Sequence, residues 1–228
     1  MRKVFFIDYD GTLHDSDAKY TAKLDGILGL SGSEIWKVYL QVHRGIIHQR
    51  YPEKHDDFFF QQKLLFYYLK KPYDDAEAHK LARRFRQAQE ECWTNPIFFP
   101  DSLPFLNKVK ENHTLCLTTG DYAPEKAQAL EKAGGVKYFD YAFDKDHLGL
   151  KGHSSSYYSN AVMSTKSRLE DVLVIGDSLE HDISAAKSAS LATVWVNRRG
   201  IPLIENSLRP DYQARDLWEV LNYIESLL

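Results

Sequence analysis

Apolar residues fall into two kinds of pattern along this chain. Short continuous runs occur at Val4 to Ile7, Leu115 to Leu117, Val172 to Ile175 and Val194 to Val196, each followed at once by turn or polar residues. Runs of that length without alternation are the signature of parallel strands buried on both faces. Between the second and third runs, Pro124 to Ala133 reads as a helix opened by proline and closed by Gly134 and Gly135. Ile183 to Ala189 reads as a helix after the third run, and the pattern from Asp216 through Trp218, Leu221 and Ile224 as a closing one. Strands alternating with helices predict an α/β fold with a doubly wound, Rossmann-like parallel sheet as its core.

From Asp15 to Phe98 that rhythm is replaced by helical periods. Ile35, Val38, Tyr39, Val42 and Ile46 share one face of a helix, as do Leu81, Phe85, Ala88 and Cys92, while Leu64, Leu65, Tyr68 and Leu69 give a third apolar face. Asn95-Pro96 and Phe99-Pro100 disfavour helix and suit a return to the core. The expected organisation is a discontinuous core, 1–14 with 99–228, interrupted by an all-helical insertion over 15–98. The aromatic cluster Phe58, Phe59, Phe60, Phe66, Tyr67 and Tyr68 is expected to form the core of that insertion.

Length agrees, since 228 residues exceed one ordinary domain of roughly 150 but fall short of two. Twenty-nine basic against 32 acidic side chains leave a net charge of −3, without the basic excess that a nucleic-acid backbone demands. The insertion carries 13 basic and 12 acidic residues, so the acidic excess lies in the core. The four apolar residues before Asp8 are too few for a secretory core or a membrane span, and a cytoplasmic protein is expected. Of the two cysteines, Cys116 sits inside an apolar run and suits a reduced packing residue. Nothing in the sequence sets the oligomeric state.

Ligands of open α/β sheets bind beyond the carboxyl ends of the strands, and here those ends are acidic. They read Asp8-Tyr9-Asp10-Gly11-Thr12, Thr118-Thr119-Gly120-Asp121 and Gly176-Asp177-Ser178-Leu179-Glu180-His181-Asp182. Carboxylates converging on one crevice repel and raise each other's pKa unless a cation neutralises them. Hard oxygen donors favour Mg²⁺ over Zn²⁺. A magnesium ion held by few carboxylates usually shares its shell with phosphate, which points to phosphoryl chemistry.

These strand ends resemble the signature of the haloacid dehalogenase superfamily. The Asp8 to Leu13 motif, a hydroxyl at Thr118, a lysine at Lys151 and Gly176-Asp177 with Asp182 follow in that family's order, and the insertion is similar to its helical C1 cap domain. The resemblance implies Asp8 as nucleophile, forming an aspartyl-phosphate, and Asp10 as the acid and base for leaving group and water. It also implies Mg²⁺ on Asp8, the Asp10 carbonyl and Asp177, with Asp182 behind them, and phosphate held by Thr118, Thr119 and Lys151. Lys145 and Lys166 are the other lysines eligible for the role given to Lys151.

The expected function is therefore a Mg²⁺-dependent phosphatase, a hydrolase of small phosphate monoesters, acting on a small phosphorylated metabolite. A dehalogenase or phosphomutase of the same superfamily and a non-catalytic binder of phosphorylated ligands are the alternatives. Metal-free dehalogenation in the family typically lacks an acid at the position of Asp10, which argues for phosphate. His14 and Asp15 stand where the chain leaves the core and are read as hinge or pocket residues; His43, Arg44, His48 and Arg50 are read as a solvated charged face rather than an anion grip.

Overall fold

The computed structural model describes residues 3–47, 50–54, 57–152, 156–203 and 209–227. Its chain divides into two compact units, 1–15 with 98–228 and 16–97.

The first unit is built on a six-stranded sheet. Strands β1 (Val4–Ile7), β2 (Thr114–Thr118), β3 (Tyr141–Phe143), β4 (Val172–Gly176), β5 (Ala192–Val196) and β6 (Tyr212–Ala214) lie in the order β3-β2-β1-β4-β5-β6. Every pairing is parallel, with Phe6 opposite Cys116 on one side and Val174 on the other. Parallel neighbours need crossover segments, and helices therefore cover the sheet. Phe5, Phe6, Ile7, Leu115, Cys116, Leu117, Val174 and Ile175 are fully buried as a result. From β1 the strand order runs outward in both directions, so the crevice where ligands of such sheets bind opens at its carboxyl end.

Two strands escape the sequence pattern, because β3 and β6 are three-residue edge strands with half-exposed residues and no continuous apolar run. The expected helix over Ile183 to Ala189 is shorter, spanning Ala185–Ser188 after a wide turn over Leu179–Ser184 in which Ile183 N–H donates to the Ser178 carbonyl at 3.1 Å. Such wide turns recur at functional sites, and this one presents Asp182. A helix at Ser156–Thr165, unexpected from sequence, packs Tyr157, Tyr158 and Ala161 onto Phe6, Cys116 and Val174.

The described elements of the second unit are helical. They include helices α1 (Ser16–Leu24), α2 (Gly32–Val42), α3 (Phe58–Tyr68) and α4 (Asp75–Thr94), of which the last three carry their start signals in sequence. Ser31 and Glu34 form a reciprocal cap on α2, while Asp57 and Asp74 accept from Phe60 N–H and Glu77 N–H at 3.0 and 2.9 Å. Leu24, Ile35, Trp36, Leu65, Phe66 and Leu81 form its core. The aromatic cluster on α3 departs from expectation. Phe66 is buried, but Tyr67 is 75% exposed and Phe59 55%, because a helix packed on one side can bury only the stripe containing Gln62, Leu65 and Phe66. Arg50 is exposed and His43 half-buried, stacked on Tyr39 at 5.0 Å. His48, Ser154, Ser155 and the side chain of Arg44 lie outside the described residues.

Candidate active site

Beyond β1 the chain turns tightly. Leu13 N–H and His14 N–H both donate to the Tyr9 carbonyl at 2.9 Å, and Gly11 N–H donates to the His14 carbonyl at 2.8 Å. Gly11 has φ of +83°, and a Cβ there would lie 2.3 Å from Asp177 Oδ2. Only glycine permits both the backbone conformation and that approach. Gly176 is needed for space as well, since a Cβ on it would meet the Asp182 carboxyl at 2.3 Å. Two glycines thus let the β1 and β4 ends bring Asp8, Asp177 and Asp182 together, with their ligand oxygens within 4.8 Å of one another.

Lys151 ties this group to the second strand. Its ammonium lies 2.6 Å from Asp8 Oδ1 and 2.6 Å from Asp182 Oδ1, and donates to the Thr118 carbonyl at 2.8 Å. Lys145 and Lys166 are exposed, so among the three lysines the sequence offers it is Lys151 that meets Asp8. Asp182 is held on both oxygens, as Oδ1 also accepts from Tyr158 OH at 3.2 Å and Oδ2 from Ser178 N–H at 2.9 Å. Asp177 takes Arg199 Nη1 at 3.0 Å on Oδ2, and its carbonyl accepts from Trp195 Nε1 at 2.8 Å. Thr118 is fully buried and its Oγ1 has no hydrogen-bond partner among the described residues. A buried hydroxyl is rarely left so, and this one stands at a strand end among the carboxylates.

Asp10 belongs to a separate network. Its Oδ1 lies 3.1 Å from His14 Nδ1 and its Oδ2 2.8 Å from the ammonium of Lys126, which sits on helix α6 (Ala123–Gly134), the helix that follows α5 (Ser102–Lys110) and β2. Lys126 also donates to Thr119 Oγ1 at 2.9 Å and to Asp121 Oδ1 at 3.2 Å. The Thr119 hydroxyl oxygen is therefore engaged, and its N–H donates to the Phe143 carbonyl at 3.0 Å. Tyr157 OH, donating to the Thr119 or Phe143 carbonyl, braces the same strand end at 2.9 and 3.1 Å.

The two carboxylates of the first motif sit in opposite fields. Burial pushes the Asp8 carboxyl up, Lys151 pulls against it, and Asp182 and Asp177 push it further, to about 8. Burial acts upward on Asp10 too, but Lys126 and His14 overrule it and hold the group well below the usual carboxylate range. Lys151 and Lys126 both resist the downward pull of burial because carboxylates surround them, Asp182 and Asp8 for the first, Asp10 and Asp121 for the second. The upward push on Asp8 marks a place where a further cation would be favourable. The donors present, all carboxylate oxygens, fit a hard divalent ion such as Mg²⁺.

Sequence reading did not single out Lys126, Tyr158 or Arg199. The last two offer no motif, whereas an acidic pair such as Asp8 and Asp10 calls for more than one counter-charge, and the first turn of the helix following Thr118 is a natural place to seek it.

Known proteins agree with this arrangement. A family model for haloacid dehalogenase-like hydrolases matches residues 2–190. The pyrimidine 5'-nucleotidase YjjG of Escherichia coli is 28% identical over 54% of this chain and 54% of its own, and the N-acylneuraminate-9-phosphatase of Homo sapiens 29% over 52% and 48%. The chain thus spans about half the length of these curated relatives. Among solved structures, the HAD-hydrolase YfnB from Bacillus subtilis, bound to magnesium, matches with a TM-score of 0.77 at 19% identity over 98% of both chains. The L-2-haloacid dehalogenase RSc1362 matches at 0.74 and 18% identity over 99% of both, which is a likeness of fold. With the family model covering most of the chain and the acidic strand ends assembled on the matching sheet, the protein belongs to the haloacid dehalogenase-like hydrolases.

Proposed function

We propose that the chain is a Mg²⁺-dependent phosphomonoesterase of small phosphorylated metabolites, working through an aspartyl-phosphate on Asp8. The observation that carries this reading is the presence of Asp10, a second carboxylate two positions beyond Asp8 that is held apart from Lys151 on its own network. Displacement of a halide needs no proton for its leaving group, so Asp10 would be superfluous there; a phosphate monoester leaves an alkoxide that needs one. The two curated relatives, a nucleotidase and a phosphatase, support the same choice.

In this mechanism Asp8 reacts as the carboxylate and Asp10, ionised in the resting chain beside Lys126 and His14, takes up a proton as substrate binds. An Asp8 oxygen attacks phosphorus, the bond from phosphorus to the ester oxygen breaks, and Asp10 gives that proton to the ester oxygen. Water then attacks the phosphorus of the acyl phosphate and returns a proton to Asp10, releasing inorganic phosphate and restoring the Asp8 carboxylate. Lys151 holds charge against Asp8 and the phosphoryl group, and the unpartnered Thr118 hydroxyl donates to a phosphoryl oxygen. Asp8, the Asp10 carbonyl and Asp177 would hold the ion, while Asp182, engaged by Lys151, Tyr158 and Ser178, anchors Lys151. When bound, Mg²⁺ supplies charge neutralisation of the transferring group. The cap role of residues 15–98, which would exclude water during transfer, is part of the same proposal.

The test is phosphate release from an aryl phosphate with Mg²⁺ and with chelator, for the wild type and Asp8→Asn. Metal-dependent release that falls at least about a thousandfold in the folded variant is expected. Full activity in Asp8→Asn removes it as the nucleophile.

A further inference from the structure

Lys126 belongs to none of the acidic strand-end motifs, yet it is buried, with 2% exposure, against the second carboxylate of the first motif. Its ammonium has three N–H groups and three acceptors within hydrogen-bond distance: Asp10 Oδ2 at 2.8 Å, Thr119 Oγ1 at 2.9 Å and Asp121 Oδ1 at 3.2 Å. With its donors engaged in this way, the lysine is placed to hold Asp10 rather than to bind a phosphate itself. The ring of Tyr9 lies 5.3 Å from the ammonium and adds a fourth wall.

Its own base is fixed. Lys126 N–H donates to the Tyr122 carbonyl at 3.0 Å, and Ala123 N–H at the start of α6 donates to Asp144 Oδ2 at 2.9 Å. Asp10 is gripped from the other side by His14 Nδ1 at 3.1 Å, a residue tied to it by a backbone bridge. Each Asp10 oxygen thus has its own holder, and the two come from different segments. Proton transfer within a displacement requires a donor aimed at the leaving oxygen, and small errors of aim are costly.

We propose that Lys126 is the positioning residue that aims Asp10 at the leaving-group oxygen, acting through the carboxylate without touching substrate. This rests on the phosphomonoesterase reading above. A leaving group as basic as an alkoxide depends on the proton from Asp10, whereas a dinitrophenolate departs without it. Misaiming Asp10 therefore slows alkyl esters selectively, while a merely structural lysine, once lost, slows both kinds alike.

The experiment compares kcat/KM for 2,4-dinitrophenyl phosphate and β-glycerol phosphate in the wild type, Asp10→Asn, Lys126→Gln, Lys126→Arg and Asp121→Asn, each checked for folding by thermal unfolding. Lys126→Gln is expected to lose at least roughly tenfold more activity on the alkyl ester than on the aryl ester, in the direction of Asp10→Asn. Lys126→Arg should recover part of the alkyl activity. Asp121→Asn, which loosens Lys126 from its half-exposed side, should show the same skew to a smaller degree, and it serves if Lys126→Gln does not fold. Equal losses on both esters, or none, in folded variants overturn the proposal while leaving the phosphomonoesterase reading standing. A wild type inactive on both esters overturns that reading, and this one with it.

Discussion

Thr118 shows how one side chain can be costly to the fold and useful to the chemistry. A fully buried hydroxyl without a partner costs about 1–3 kcal/mol of desolvation. Thr118→Val keeps the shape and removes that cost, so urea unfolding should find the variant more stable by roughly 1 kcal/mol. Phosphate release by the same variant should fall about a hundredfold or more, the usual effect of losing one donor to a developing charge. A destabilised variant with unchanged activity would mean that the hydroxyl serves packing alone. At this scale Asp8, Asp10, Thr118 and Asp177 could be found in sequence because each follows an apolar run, where α/β sheets expose their carboxyl ends. Lys126 and Tyr158 lie on helices, and Arg199 in the segment after β5, with no run ending beside them. Only the packed structure brings these three to Asp10, Asp182 and Asp177.

Between elements, one tie in the first unit is Arg198, just beyond β5. Its guanidinium meets both oxygens of Asp101, at 2.8 and 3.0 Å, donates to the Thr12 carbonyl at 3.0 Å and lies 3.9 Å from the Phe99 ring centroid. Asp101 in turn accepts from Leu217 N–H at 2.8 Å, at the start of the last helix, Leu217–Ser226. One ion pair thereby fastens the loop carrying the first motif to three other segments. Removing one partner of a buried pair leaves the other charge uncompensated, so Arg198→Met should cost about 3 kcal/mol in chemical denaturation. A loss below about 1 kcal/mol would show that these segments hold together without it. The central strands were legible because their buried runs are continuously apolar, and the long helices because their apolar periods repeat over several turns. The edge strands β3 and β6 were not, since three residues of which only the last is buried carry too little pattern, and the wide turn at Leu179–Ser184 depends on backbone bonds that composition does not encode.

For the whole molecule, the acidic strand ends couple stability to pH and to metal. Asp8 is pushed up to about 8 by burial and by Asp182 and Asp177, against Lys151. The folded chain therefore holds this proton where the unfolded chain has released it. The stability so contributed is fully present below about pH 4, the ordinary range of an aspartate, and is lost as pH rises through about 8. A bound divalent ion replaces the proton as the neutralising charge. The rise in Tm on adding Mg²⁺ should accordingly grow from pH 6 to pH 8 and vanish in Asp177→Asn; a rise independent of pH, or retained in that variant, would contradict the assignment. The change from strand runs to helical periods near Asp15 falls close to the boundary between the sheet unit and the helical unit, whereas the exposed aromatic surface of α3 had no such signal. Transfer of the phosphoryl group to Asp8 is best checked by acid quenching during turnover of a phosphate ester with Mg²⁺. Peptide mass analysis should find the added mass of one phosphoryl group on the peptide containing Asp8, absent with chelator. An active enzyme whose quenched peptides carry phosphate elsewhere, or nowhere, would contradict it.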